Sequence, residues 1–315
     1  TQAVTYIIQR SEALMGLFWL LSLYAVIRLV ESDRKLIWWA LAIVSCGLGM
    51  GCKPVMVTAP LVILLYDKIF LAGSWRELWR QRAGLHLDLF STWCLLGAIL
   101  LTASDAHLTG AGFYLEGVTQ KSYLLTQPGV LLHYLKLVFW PAPLVLDYQW
   151  GWVQNIREAW VPVAILSGLI LTTLWGLLRR PAVGFLGAWF FLTLAPSSSL
   201  VPLADPIFEH RMYLALAAPL LLGVLGGYRL LGSILPTVKT RRGVALTLAL
   251  MLIVSAGTVT WRRNADYQSA VSIWQDTVTK QPNNVRALVN LGGALHKAGR
   301  VEEAIDLYQK ALALE

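Results

Sequence analysis

The run PSSSLVPLADPIFEHRMYL, Pro196 to Leu214, packs Asp205, Glu209, His210 and Arg211 between two apolar segments, Ala182 to Ala195 and Arg211 to Leu231. An ionised group held at bilayer depth costs roughly 2.5 to 3.5 kcal/mol on insertion scales, so such a run must lie at a membrane face or line a cavity. An ordinary connecting loop is the plainer reading. The chemistry argues for more: arginine's planar fork suits a phosphate, histidine can shuttle a proton or hold the same anion, and a carboxylate can orient either cation or accept from a sugar hydroxyl.

Composition supports the membrane reading. The chain has 315 residues, of which 57% are hydrophobic and 14% charged, with a mean hydropathy of +0.59, too apolar for a soluble domain of this length. Its net charge of +8 does not point to nucleic acid, because the basic residues sit in short loops beside apolar spans. Cys46, Cys52 and Cys94 fall in or beside apolar runs without metal-ligand spacing and read as small buried hydrophobes. No metal site is expected from the sequence, a divalent ion being the one cofactor the chemistry would admit.

Eight apolar spans are expected: Ser11 to Val30, Leu36 to Gly51, Pro54 to Phe70, His86 to Ala103, Val161 to Leu178, Ala182 to Ala195, Arg211 to Leu231 and Val244 to Thr260. Leu131 to Trp150 is kept out of the membrane, since Pro141 and Pro143 interrupt it and His133, Lys136 and Asp147 make it polar. Its first part, Leu131 to Phe139, carries a helical apolar stripe and is expected along the outer interface, with the Trp140 and Pro141 turn tucked beneath a cavity. With the N-terminus outside, this topology gathers most basic residues on the cytoplasmic side. Arg10, Lys53, the segment from Ser104 to Trp160 and the Pro196 to Leu214 run then share the extracytoplasmic face. So does the region after Arg263.

That region repeats itself. Ala270, Val271, Trp274 and Thr277 recur as Ala304, Ile305, Tyr308 and Ala311, and NVRALVNLGGALHKAGRVEEAIDLYQKALALE, Asn284 to Glu315, carries the tetratricopeptide pattern. Small residues let paired helices approach and larger ones fill the space between them. The expected division is a multi-pass membrane domain over 1–262, with an interfacial segment near 104–160, and about one and a half repeats over 263–315. The fold class is all-α, a polytopic helical bundle followed by the start of an α-solenoid. The chain is read as part of a longer protein, with further repeats beyond Glu315.

QAVTYIIQRSEAL (Gln2 to Leu14), GCKPVMVTAPLVILLYD (Gly51 to Asp67), HYLKLVFWPAPLVLDY (His133 to Tyr148) and the PSSSLVP to EHRMYL run together resemble the transmembrane and tetratricopeptide-repeat O-mannosyltransferases and their bacterial relatives. The resemblance implies a GT-C-type bundle that moves a mannose-like sugar from a polyprenyl-phosphate donor to a protein Ser/Thr hydroxyl on the extracytoplasmic face. It further implies that the repeats recruit the acceptor or a partner protein. The candidate donor-phosphate or substrate-binding residues are Arg211, His210, Glu209, Asp205, Arg10, Glu12 and Lys53. The catalytic base is expected in a loop upstream of Thr1; Lys53 is followed by Pro54 where eukaryotic members often have glutamate, so no acidic role carries over there. The expected partners are the lipid-linked sugar, membrane lipid and an acceptor protein, without nucleic acid. The expected location is a bacterial inner membrane, or the endoplasmic reticulum in a eukaryote. A non-enzymatic membrane-anchored repeat scaffold is the alternative. Each charge also has a plainer role: Arg211 pairing with Glu209 or Asp205, Arg10 and Glu12 snorkelling at a helix start.

Overall fold

The computed structural model describes residues 2–5, 9–102, 118–198 and 201–314, and every regular element among them is helical. A short helix, α1 (Gln2–Thr5), precedes α2 (Arg10–Glu31) and α3 (Lys35–Met50), which form a hairpin. Next come a 3₁₀ turn (Pro54–Val57), α4 (Thr58–Tyr66) and a π turn (Asp67–Leu71), followed by α5 (Trp75–Thr102). The continuous segment Pro54–Leu71, together with α2 and α5, is long and apolar enough to cross a membrane, and α3 is a shorter apolar helix. Further along, α6 (Gln120–Phe139), α7 (Ile156–Arg179) and α8 (Pro181–Leu194) precede the 3₁₀ turns Ala195–Ser197 and Glu209–Arg211. The chain continues through α9 (Met212–Ala215), α10 (Ala217–Ile234), α11 (Val238–Asp266), α12 (Ala270–Lys280), α13 (Val285–Lys297) and α14 (Val301–Leu312). Of these, α7, α10 and α11 also have membrane-crossing length and hydropathy. The protein is a multi-pass integral membrane protein.

The core lies between α2, α3, α4, α5 and α8. Trp19 and Trp189 meet edge to face with centroids 4.5 Å apart at its centre. An indole N–H cannot be left unsatisfied in an apolar interior without cost. Trp19 donates to Thr58 Oγ1 at 3.3 Å, and Trp189 to the Leu214 carbonyl at 2.8 Å, which ties the start of the last bundle helices to the core. At the α7–α8 hairpin, glycines at 176 and 184 are needed because the backbones touch: a Cβ on Gly184 would lie 2.1 Å from the Leu177 nitrogen. The most apolar stretches of α7, α10 and α11 are almost unburied by protein, which suits helices solvated by lipid.

Two expectations for the segment after α5 are revised. The helix expected over Leu131 to Phe139 starts much earlier, at Gln120, where Thr119 and Ser122 form a capping box. The Trp140 and Pro141 turn is not tucked beneath a cavity: Trp140 is 69% exposed. The segment Leu131 to Trp150 does not form a single helix, because the chain after Phe139 runs irregularly to Asn155. Residues 103–117 of the expected interfacial segment lie outside the described residues.

Candidate functional site

The N-terminal end of α2, the turn after α3 and the strap 201–211 come together. Glu12, on the first turn of α2, is 3% exposed and pairs with Lys53, whose Nζ lies 2.7 Å from Glu12 Oε2 and donates to Gln9 Oε1 at 2.7 Å. Lys53 reaches them because α3 stops at Met50 and the chain turns through Gly51, Cys52 and Lys53 before Pro54 starts the next helical turn. His210 is buried; its backbone N–H donates to Gln2 Oε1 at 2.9 Å, and its ring stacks on Phe208. Burial, with the charges of Lys53 and Arg211 nearby, pushes the His210 pKa down to about 3, so the imidazole is neutral at neutral pH.

Arg211 has an unusual set of partners. Its Nη1 donates to the Pro206 carbonyl at 2.8 Å and its Nη2 to the Asp205 carbonyl at 2.7 Å, with the guanidinium carbon 5.3 Å from the Phe208 ring centroid. No carboxylate pairs with it among the described residues, so its full charge remains available. Tyr123 and Tyr134 on α6 flank it; Tyr134 both donates to the Phe208 carbonyl, at 2.8 Å, and accepts from the Phe208 N–H, at 2.9 Å. That two-way clasp fixes the strap, because a rigid ring on a helix holds both polar groups of one extended residue.

The other candidates separate from this cluster. Glu209 turns to the irregular segment after α6, accepting from the Val145 N–H at 2.9 Å and the Tyr148 hydroxyl at 3.0 Å. Burial raises its pKa. Asp205 pairs through Oδ1 with Arg286 of α13, whose Nε also bonds Asp147. Arg10 is exposed and makes no ion pair among the described residues. Of the seven candidates, the structure thus pairs Glu12 with Lys53 and sets His210 and Arg211 beside them, while Asp205, Glu209 and Arg10 face elsewhere.

Sequence reasoning missed Gln2, Gln9, Tyr123, Tyr134 and Arg286. The two glutamines lie in the QAVTYIIQR stretch, where an uncharged amide gives no charge pattern that marks it as part of a site. Arg286 sits at a solvent-facing position of the repeat pattern, which carries no packing signal. Among the described residues, no group of three His, Cys, Asp or Glu side chains is placed to hold a metal.

The architecture defines a class, that of polytopic helical membrane proteins with a C-terminal helical repeat, and the comparisons narrow it. Residues 262–314 match the tetratricopeptide repeat model, and residues 2–103 match the model described as dolichyl-phosphate-mannose-protein mannosyltransferase. Both agree with the resemblance seen in the sequence. Glu12 and Lys53 lie within the mannosyltransferase match; His210 and Arg211 lie between the two matches. No curated protein and no solved structure matches the chain.

Proposed function

We propose that the protein transfers a mannose-type sugar from a polyprenyl-phosphate donor to a protein Ser/Thr hydroxyl on the extracytoplasmic face, and that Arg211 holds the donor phosphate. One observation carries this reading: a half-buried guanidinium with no carboxylate partner among the described residues, beside a neutral His210 and the Lys53–Glu12 pair, in a chain whose first third matches a mannosyltransferase model. In the reaction a base removes the acceptor proton and the hydroxyl oxygen bonds to the anomeric carbon. The bond from that carbon to the donor phosphate breaks, and the phosphate departs with the electron pair. A guanidinium contact strengthens as charge builds on the departing oxygens, so it favours the transition state over the bound donor. The His210 Nδ1 lies 3.3 Å from Gln2 Oε1, an acceptor, so the single N–H of the neutral ring is directed to Gln2, and contact with the anion falls to Arg211.

The test is transfer of a labelled sugar from polyprenyl-phosphate mannose by purified protein in liposomes. Arg211→Ala is expected to lower kcat/KM by roughly a hundredfold or more, as loss of one preorganised donor to a developing anion does. Arg211→Lys should recover only part, because it restores the charge but not the fork. Equal rates for wild type and Arg211→Ala would remove Arg211 from the site. Absence of transfer by the wild type would favour the scaffold reading, which rests on the repeat match.

A further inference from the structure

A second site lies on the opposite side of the same strap. The cavity, of about 460 Å³, is lined by Trp150 and Trp152 from the segment after α6, Asp205 and Pro206 from the strap, and Arg286 from α13, with Asp147 at its edge. This volume falls within the roughly 300 to 1,000 Å³ typical of small-molecule sites. The two indoles line it together from an irregular stretch, on either side of Gly151. The stretch is set by a turn: Gln149 takes a φ of 43°, and its N–H donates to Asp147 Oδ1 at 2.8 Å. Such a backbone is uncommon for a residue other than glycine and points toward a functional constraint. Both rings are braced from behind by α6, Trp150 against His133 at 5.2 Å and Trp152 against Tyr123 at 6.1 Å between centroids.

The polar lining is equally ordered. Arg286 bridges Asp147 and Asp205, while Asp205 Oδ2 makes no hydrogen bond among the described residues. Two carboxylates against one guanidinium leave a formal charge of minus one, which disfavours a phosphate. Braced indoles beside fixed carboxylate, amide and guanidinium groups suit a ligand with a flat C–H face and a rim of hydroxyls. We infer that this groove between the strap and the first described repeat binds a neutral pyranoside, a sugar carrying no phosphate, with Trp150 and Trp152 as stacking surfaces and Asp205 as a hydroxyl acceptor.

The site is distinct from the Arg211 cluster, because Asp205 and Pro206 give their carbonyls to Arg211 and face the groove with their side chains. The inference therefore does not depend on sugar transfer at Arg211. The experiment is saturation-transfer NMR on the full chain in a detergent without a sugar headgroup, with methyl α-mannoside, methyl α-glucoside and methyl β-galactoside as probes. At least one probe should bind. Trp152→Ala should weaken it by about tenfold, the value of one aromatic stack. Trp152→Phe should keep most of the binding, and Asp205→Asn should change the preference among the three probes. Trp261→Ala, on the exposed face of α11, should bind as wild type does. No binding of any probe would overturn the proposal. So would equal losses in Trp152→Ala and Trp261→Ala.

Discussion

Removal of the Lys53 charge isolates the buried pair at the heart of the candidate site. Glu12 is 3% exposed, and its carboxylate has Lys53 as its only ion-pair partner among the described residues. Lys53→Met keeps the aliphatic stem and leaves that carboxylate uncompensated. Breaking a buried pair from one side costs about 3 to 5 kcal/mol. The lower end applies, because the Lys53 side chain is 23% exposed and water can reach the gap. A loss of about 3 kcal/mol corresponds to a fall in Tm of roughly 6 to 12 °C for a chain of this order of size. Glu12→Gln added to Lys53→Met removes both charges and should recover most of the loss, leaving about 1 kcal/mol for the altered hydrogen bonds. The assay is thermal unfolding of the three proteins in one detergent at pH 7.5, with sugar transfer measured in parallel. If Lys53→Met melts within about 1 °C of wild type, or the double variant melts below the single one, the pair is not the buried, coupled unit described here.

Three further outcomes are expected. The His210 pKa of about 3 lies below its ordinary 6.5, so the unfolded chain takes up this proton first; the associated stability is full above pH 6.5 and lost as pH falls toward 3, about 2 kcal/mol by pH 5. Glu209, raised by burial, works in the opposite direction, so melting of wild type and His210→Gln at pH 7.5 and pH 5 isolates the imidazole, and parallel acid losses in the two proteins would refute its role. Arg286→Ala should loosen the repeat from the strap; with Arg286 half exposed the two ion pairs are worth about 1 kcal/mol, so cleavage of the 140–155 segment by a non-specific protease should rise about fivefold. Arg82 makes a two-pronged contact with Asp67 at 2.7 and 2.8 Å, and His86 Nε2 sits 2.8 Å from the same fully buried carboxylate. Arg82→Leu should therefore destabilise by about 3 to 5 kcal/mol with Asp67→Asn as partial rescue, measured by the same thermal assay.

The bundle was legible where hydropathy is continuous. Each of the eight apolar segments coincides with an apolar helical segment, because twenty or so apolar residues have few alternatives to a helix in a bilayer. The repeat was legible for a different reason: Leu288, Leu291, Leu295, Ala304 and Ala311 occupy positions that only paired helices bury together. The first half of α6 was not, since Gln120 to Gln127 is polar and Pro128 interrupts it. Its helix is stabilised from outside, by Tyr123 and Gln127 reaching across to Ser197 and Pro206. The partners of Arg211 were equally hidden. Three acidic or basic neighbours within the Asp205 to Arg211 run suggest local ion pairs, yet the strap folds so that Arg211 meets backbone carbonyls while both carboxylates face away.

That division of labour gives the strap two working sides. Toward α2 and α6 it offers a neutral imidazole and a guanidinium without a carboxylate partner among the described residues; toward the repeat and the segment after α6 it offers carboxylates that Arg286, Val145 and Tyr148 hold in place. A strap fixed at Phe208 by Tyr134 cannot shift one side without straining the other, because that clasp lies between Asp205 and Arg211. Whatever the repeats engage thus acts on Asp205 through Arg286, and Asp205 through its own carbonyl acts on Arg211. A path of two contacts links repeat to guanidinium, so under the proposed function recruitment of an acceptor would bias the geometry of Arg211.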